Sequence, residues 1–223
     1  DAGWGFDSNI PTGYGLGSSG ALCAALYERF GTDILPPEAG HAAALRERFA
    51  DMEHFFHGNS SGVDPLVSYL NKAILLRSRT EVMALEEFGL PASPVLFLLD
   101  TGRPRQTAPL VQQFLQRCQE ESYQDACLQG LTPQTAEAIS ATLAGDSERI
   151  WAAWCAISCF QRTHFSAMIP EDLLPLWEAG LDGGEFALKL CGAGGGGFLL
   201  GAAKVPLEGI ESLDAYRGAI RKW

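Results

Sequence analysis

The chain has 223 residues, 47% of them hydrophobic and 19% charged, the composition of a soluble globular protein of one or two domains with ample length for a core. Sixteen Lys and Arg stand against 27 Asp and Glu, a net charge of −11, and no basic stripe offsets it. That balance argues against a nucleic-acid or anionic-membrane partner, and no apolar run reaches the 18 residues of a membrane span.

The six cysteines (Cys23, Cys118, Cys127, Cys155, Cys159, Cys191) form no CxxC pair and fall mostly in apolar helical runs. They read as buried reduced thiols of a cytoplasmic protein, not as a disulfide or zinc framework. The chain opens at Asp1 without a signal-peptide pattern. Residues Gly3 to Ile10 read as a strand that runs straight into a glycine turn. A strand so close to the start predicts that an N-terminal portion is missing.

The turn is Pro11 to Leu22, PTGYGLGSSGAL, four glycines and two serines ahead of a helix-forming run. Glycines allow a tight backbone that exposes N–H groups, and a helix N-terminus adds partial positive charge, so the pattern suits a phosphate. A bare structural turn is the alternative. Ser18 or Ser19 is placed to cap a helix to about Phe30, with Leu22, Cys23, Leu26 and Phe30 as its buried stripe and Gly31 as its stop. A second helix runs from Pro36-Pro37 to about Phe56, with Leu45, Phe49, Met52 and Phe56 on one face.

Glu53 to Leu70, EHFFHGNSSGVDPLVSYL, follows. Gly58 ends one helix, Ser60 or Ser61 can cap the next, and Asp64 falls in its first turn, where the helix dipole favours a carboxylate. A plain capping box, Ser61-x-x-Asp64, is the alternative reading, and Glu53 could be one solvated carboxylate among many. His54 and His57 lack the HExxH spacing of a zinc site, so His57 reads as part of the turn or wall.

Short strands are expected at Ala73–Arg77 and Glu81–Leu85, and a buried strand at Val95–Asp100. That strand ends in the polar loop Thr101 to Thr107, where Arg103 and Arg105 are either functional or surface charges. Helices continue to about residue 179, with Pro133 just inside one start and Trp151 to Phe165 forming a long apolar helix that Pro170 ends. The last motif is a strand at Phe186–Leu190, the run Gly192-Ala193-Gly194-Gly195-Gly196-Gly197, and a strand to about Val205. Apolar strands flank the glycines, unlike the polar flanks of a linker, so something must approach this backbone closely. A terminal helix completes the order. The fold class is α+β, with a boundary near Ala92 to Pro94 that divides the chain into 1–93 and 94–223.

PTGYGLGSSGAL, HGNSSGVD and KLCGAGGGG, in that order, resemble the motifs of the GHMP small-molecule kinases and are most similar to those of the mevalonate kinases. The middle motif carries that distinction, with Ser60 where HGxPSGxD has proline. The resemblance covers nearly the whole chain. It implies a two-lobed fold, an N-terminal βα lobe with the phosphate loop and a C-terminal ferredoxin-like lobe. It also implies ATP and Mg²⁺ as cofactors and a mevalonate-like alcohol as substrate. Dimers are common among the related kinases, so a homodimer is a further expectation.

By the same resemblance, Asp64 is the catalytic base, and Thr107 lies near the reacting phosphate. Glu53 and Ser19 hold magnesium. Pro11, Gly13, Gly15, Leu16, Gly17, Ser18 and Ser19 form the phosphate loop, and Gly192, Gly194, Gly195 and Gly196 belong to the third glycine motif. Gly20 stands where alanine is usual, Cys191 where threonine is usual, and Phe198 where cysteine often follows. The family's first motif, with a lysine near the reacting groups, would lie before Asp1. A phosphomevalonate or sugar kinase, and a non-catalytic nucleotide or metabolite sensor on the same fold, stay open as alternatives.

Overall fold

The computed structural model describes residues 3, 5–57, 60–78, 80–105 and 107–222. The chain forms two compact units, the first of residues 1–12 and 16–89, the second of residues 13–15 and 90–223.

The first unit contains α1 (Ser18–Phe30), α2 (Ala42–His57), α3 (Val63–Leu70), and the antiparallel pair β1 (Ala73–Leu76) and β2 (Val82–Leu85). The expected strand ahead of the glycine turn is not there, since described residues from 3 to 10 have no strand geometry. Among the described residues β1 and β2 pair only with each other, and an extended segment without a ladder partner is not held as a strand.

On α2 the expected stripe holds at Leu45 and Phe49, which are fully buried, and Met52 is half-buried, while the Phe56 side chain lies outside the described residues. On α1 it is not. Leu22 and Phe30 are exposed, Leu26 is half-buried, and the buried face is Gly20, Cys23, Ala24 and Tyr27. The hydrophobic pattern selects the large side chains, whereas the close packing of α1 on α3 selects small ones, because side-chain size at the contact sets how near two helices come. Tyr27, Phe49 and Tyr69 meet edge to face, with ring centroids 5.1, 5.4 and 5.7 Å apart. The polar ends are satisfied: the Tyr27 hydroxyl accepts from Leu35 N at 2.9 Å, and Tyr69 donates to Leu35 O at 2.7 Å.

The second unit opens with β3 (Val95–Asp100) and continues through α4 (Thr107–Arg117), α5 (Glu121–Ala126), a π-helical turn (Cys127–Leu131), α6 (Thr132–Ala144), α7 (Ser147–His164) and α8 (Leu174–Gly183). β4 (Phe186–Leu190), β5 (Phe198–Ala203) and, after a 3-10 stretch, β6 (Ile220–Lys222) complete it. The strands form one antiparallel sheet in the order β4-β5-β3-β6, the split βαβ arrangement of a ferredoxin-like sheet. β6 and the 3-10 stretch Glu211–Ala219 replace the expected terminal helix. Three residues are too short to show strand periodicity, and β6 is held by pairing Leu99 with Ile220 and Phe97 with Lys222.

Phe97 and Leu99 are fully buried and point into a core shared with Trp177, Phe186, Leu188 and Leu199. Gly201 lies opposite Phe97, and a Cβ there would come within 2.1 Å of the ring, so the glycine makes room for the aromatic side chain. Asp146 caps α7 by accepting from Arg149 N at 3.2 Å. No helix among the described residues is long and apolar enough to cross a membrane.

All six cysteines are free, but their burial is uneven: Cys23 is buried and Cys159 is exposed. The expectation of uniformly buried thiols fails at Cys159, which lies on the outward side of α7. Burial, reinforced by the nearby Glu53 charge, pushes the Cys23 thiol from 9.0 to about 11. The folded state keeps the proton longer than the unfolded one, so this group lowers stability as pH rises from about 9 through 11. In native protein at pH 8, iodoacetamide should label Cys159 first and Cys23 only on unfolding, as read by peptide mass spectrometry. Early labelling of Cys23 would contradict the packing of α1.

Candidate functional site

In the first unit, the glycine turn delivers the chain into α1 through Gly17, whose φ of 71° makes it a left-handed N-cap. No side chain caps the helix, so the expected Ser18 or Ser19 cap is replaced. Ser18 and Ser19 are instead the first two helical residues, Ser18 half-buried and Ser19 exposed. First-turn N–H groups without a side-chain cap are free for an anion.

Asp64 sits in the first turn of α3 and is exposed. A Cβ built on Gly17 would lie 3.5 Å from Asp64 Oδ2, which places the carboxylate at the N-terminus of α1 as well as that of α3. Among the described residues, no side chain pairs with that carboxylate. Gly20 allows this approach. A Cβ on Gly20 would fall 2.6 Å from Asp64 Cβ and 2.8 Å from Pro65 N. The glycine at a position where alanine is usual is therefore a packing requirement of this chain.

Glu53, near the end of α2, is only 7% exposed. The Ser60 hydroxyl donates to its Oε2, and no cation pairs with it among the described residues. A buried carboxylate lacking a counter-charge is costly, and a divalent ion with oxygen ligands would relieve that cost. Ser19 lies one turn before Cys23 on α1, and the Cys23 thiol feels the Glu53 charge. The donor set of carboxylate and hydroxyl oxygens fits Mg²⁺. No cluster of three or more His, Cys, Asp or Glu exists among the described residues, so no all-protein cage is present there.

The sequence offers Ser60 or Ser61 as the cap of α3, and neither takes that place. Instead Gly62, at φ 69°, is the N-cap of α3, while Ser60 Oγ accepts from Gly62 N at 3.2 Å and holds Glu53. Ser61 Oγ accepts from Val63 N at 3.4 Å. His54 is exposed. The His57 side chain, Gly58 and Asn59 lie outside the described residues.

In the second unit, residues 13–15 pack with the loop after β3 and with the glycine run. Arg105 N donates to Gly13 O at 2.9 Å, and Phe198 N donates to Tyr14 O at 3.2 Å. The Tyr14 and Phe198 rings stand 5.6 Å apart. The close approach expected at the glycine run is made by protein backbone: a Cβ on Gly197 would meet Tyr14 O at 2.4 Å, and one on Gly194 would meet Met168 O at 2.4 Å. Gly195 N donates to Met168 O at 2.6 Å, and Gly197 N to Arg103 O at 2.7 Å.

The two arginines of the loop separate. Arg103 pairs with Asp172 at 2.5 Å on the surface. Arg105 is half-buried, donates from Nη1 to Cys191 O at 2.6 Å, and has no carboxylate partner among the described residues. Its guanidinium lies against both Gly15 and Gly192, where added Cβ atoms would come within 2.6 and 2.7 Å of Nη1. Thr107 is the first residue of α4, and its side chain lies outside the described residues.

A family model described as GHMP kinases N terminal domain matches residues 3–72. No curated protein sequence matches the chain. Among solved structures, a Lin0012 protein from Listeria innocua is similar at 18% identity and TM-score 0.68, over 92% of this chain and 63% of that one. The L. major mevalonate kinase, solved with R-mevalonate, is similar at 20% identity and TM-score 0.66, over 92% of this chain and 64% of that one. The Streptococcus pneumoniae phosphomevalonate kinase, solved with phosphomevalonate and AMPPNP, is similar at 16% identity and TM-score 0.66, over 94% of this chain and 68% of that one. The chain thus spans 63% and 64% of the length of the first two structures. It has the mixed α and β fold of GHMP kinases.

Replacing Gly20 with alanine should lower stability by about 1–3 kcal/mol, because the new methyl collides with backbone that has no room to move. Thermal unfolding measures this, and an unchanged midpoint would show that α1 and α3 do not pack as described.

Proposed function

We propose that this chain belongs to an ATP-dependent kinase of a small alcohol, with mevalonate as the best-supported acceptor and a phosphate monoester as product. The observation that carries the reading is the exposed Asp64 carboxylate, which no side chain among the described residues pairs with, held against Gly17 at the start of α1. A carboxylate beside uncapped helix N–H groups brings a proton acceptor and an anion site together, which is what phosphoryl transfer to a hydroxyl requires.

In this reading Asp64 accepts the hydrogen bond of the acceptor hydroxyl and takes its proton as the oxygen attacks the terminal phosphorus. The bond from that phosphorus to the bridging oxygen breaks, and ADP leaves with the electron pair. The N–H groups of Gly13 to Ser19, with Pro11 and Leu16 shaping the turn, stabilise the phosphate charge through fixed dipoles. Gly192, Gly194, Gly195 and Gly196 keep the wall behind residues 13–15 thin enough for that backbone to approach. Glu53 and Ser19 would hold Mg²⁺, which supplies charge neutralisation on the phosphates, and Ser60 fixes the Glu53 carboxylate. Thr107 is proposed to contact the reacting phosphate. No Lys follows the glycines, so this is not a G-x-x-x-x-G-K-[ST] loop.

The mevalonate reading rests on the middle motif and on the fold shared with the L. major enzyme. Phosphomevalonate and sugars are the competing acceptors. A non-catalytic sensor is disfavoured because such a protein has no use for an unpaired proton acceptor at its phosphate loop. A cytoplasmic location and a homodimer belong to the same proposal.

Asp64→Asn should leave AMPPNP–Mg²⁺ binding within about twofold of wild type while lowering ADP release with mevalonate by on the order of 10²-fold or more, the scale of a lost general base. Turnover unchanged in that variant would remove Asp64 from the chemistry. Glu53→Gln should weaken the Mg²⁺ dependence of nucleotide binding, measured by calorimetric titration with and without the ion. An unaltered dependence would free Glu53 from the metal role.

A further inference from the structure

Cys155 and Cys159 are the two cysteines of this chain that share a helix. α7 runs unbroken from Ser147 to His164, so the two stand one turn apart on one side of it. Both are free, Cys159 exposed and Cys155 half-buried. The same turns are tied to the rest of the unit. Trp154 Nε1 donates to Ala187 O at 3.2 Å, Gln161 Oε1 accepts from Leu190 N at 2.8 Å, and Ser158 O accepts from Trp177 Nε1 at 3.3 Å. These bonds keep the backbone between the thiols on its helical course. The other four cysteines lie in separate elements: Cys23 in α1, Cys118 just after α4, Cys127 in the π-helical turn and Cys191 just after β4.

Helix geometry decides what the α7 pair can do. Cβ atoms one turn apart are about 5–6 Å from each other. A disulfide requires about 3.5–4.5 Å, so α7 would have to open before these sulfurs bonded directly. A bridging ion removes that conflict, because two metal–sulfur bonds of roughly 2.3 Å in line put about 4.6 Å between the sulfurs. The ion that fits is soft and satisfied by two ligands. No cluster of three or more His, Cys, Asp or Glu exists among the described residues, so zinc would lack the rest of its tetrahedron there. Hard ions such as Mg²⁺ prefer oxygen, whereas thiolates select copper(I).

We infer that Cys155 and Cys159 form a two-thiolate site for copper(I) on the outward side of α7. Binding replaces two S–H bonds with two Cu–S bonds and releases both protons to solvent, with no change in the oxidation state of copper or sulfur. Burial pushes the Cys155 thiol up, and the Lys204 ammonium draws it back toward the thiolate. Lys204 stands 6.0 Å from the centre of the Trp151 ring, one turn before Cys155, and shares its charge with Glu148 at 3.1 Å. The site does not depend on the kinase reading above.

The test is anaerobic titration of the reduced full chain with copper(I) buffered by bicinchoninate, whose coloured complex reports the copper left unbound by protein. Wild type should take one ion in its tightest step, with the X-ray absorption edge of two-coordinate copper held by sulfur. Cys155→Ser and Cys159→Ser should each weaken that step by on the order of 10²-fold, since losing a ligand costs no less than losing the outer-shell partner of one. Cys159 is exposed, so its replacement leaves the packing of α7 intact. Cys118→Ser and Cys191→Ser should leave the step unchanged. Bound copper(I) should also shield Cys159 from iodoacetamide in wild type and not in Cys155→Ser, as read by peptide mass spectrometry.

Copper(I) that stays bound in both α7 variants would overturn the proposal, as would copper(I) that departs with Cys118→Ser or Cys191→Ser instead. So would an absorption edge of three- or four-coordinate copper, a shielding of Cys159 that persists without Cys155, or a wild-type chain that surrenders all its copper to bicinchoninate. None of these outcomes bears on phosphoryl transfer, and turnover in Asp64→Asn says nothing of this site.

Discussion

The approach of α1 to α3 is the constraint on which the first unit depends. It requires a residue without a side chain at Gly20, since any Cβ would strike Asp64 and Pro65. The same contact buries Cys23 and Tyr27 and leaves Leu22 and Phe30 in solvent. It also carries Asp64 to the mouth of α1. Packing and site geometry are thus one interaction: a methyl group that stiffened α1 would move the carboxylate.

The second unit solves a related problem with backbone rather than helices. Tyr14 O, Met168 O and Arg103 O all approach the glycine run at distances that side chains would forbid. Consecutive glycines lose much conformational entropy on folding, and here the loss is offset by hydrogen bonds from Gly195, Gly197 and Phe198. Arg105 fills the gap between Gly15 and Gly192, so two glycine motifs far apart in the chain are held by one guanidinium.

Glu53 is the one charged side chain buried among the described residues, and no cation pairs with it there. The ion pairs among the described residues lie on the surface, as in Arg103 with Asp172, Arg149 with Glu137 and Arg217 with Asp214, and such pairs contribute little to stability. Asp64, Glu53 and Arg105 lack such counter-charges among the described residues. A fold tolerates uncompensated groups of this kind where they serve binding or chemistry.

By itself the sequence determined the glycine turn, the order of helices and strands from α1 to β5, the buried strand at Val95–Asp100 and the packing of Leu45 and Phe49 on α2. These follow from local rules: glycine in tight turns, apolar periodicity in elements that face a core. Tertiary structure alone decided the buried face of α1, because small residues win where helices touch and hydrophobicity does not record that. It decided that Gly17 and Gly62, rather than serines, start α1 and α3, and that Ser60 turns back to Glu53. It created β6 from three residues that have strand character only beside β3. It also distinguished Arg105 from Arg103, two residues apart and alike in sequence, since a counter-ion is a property of neighbours in space.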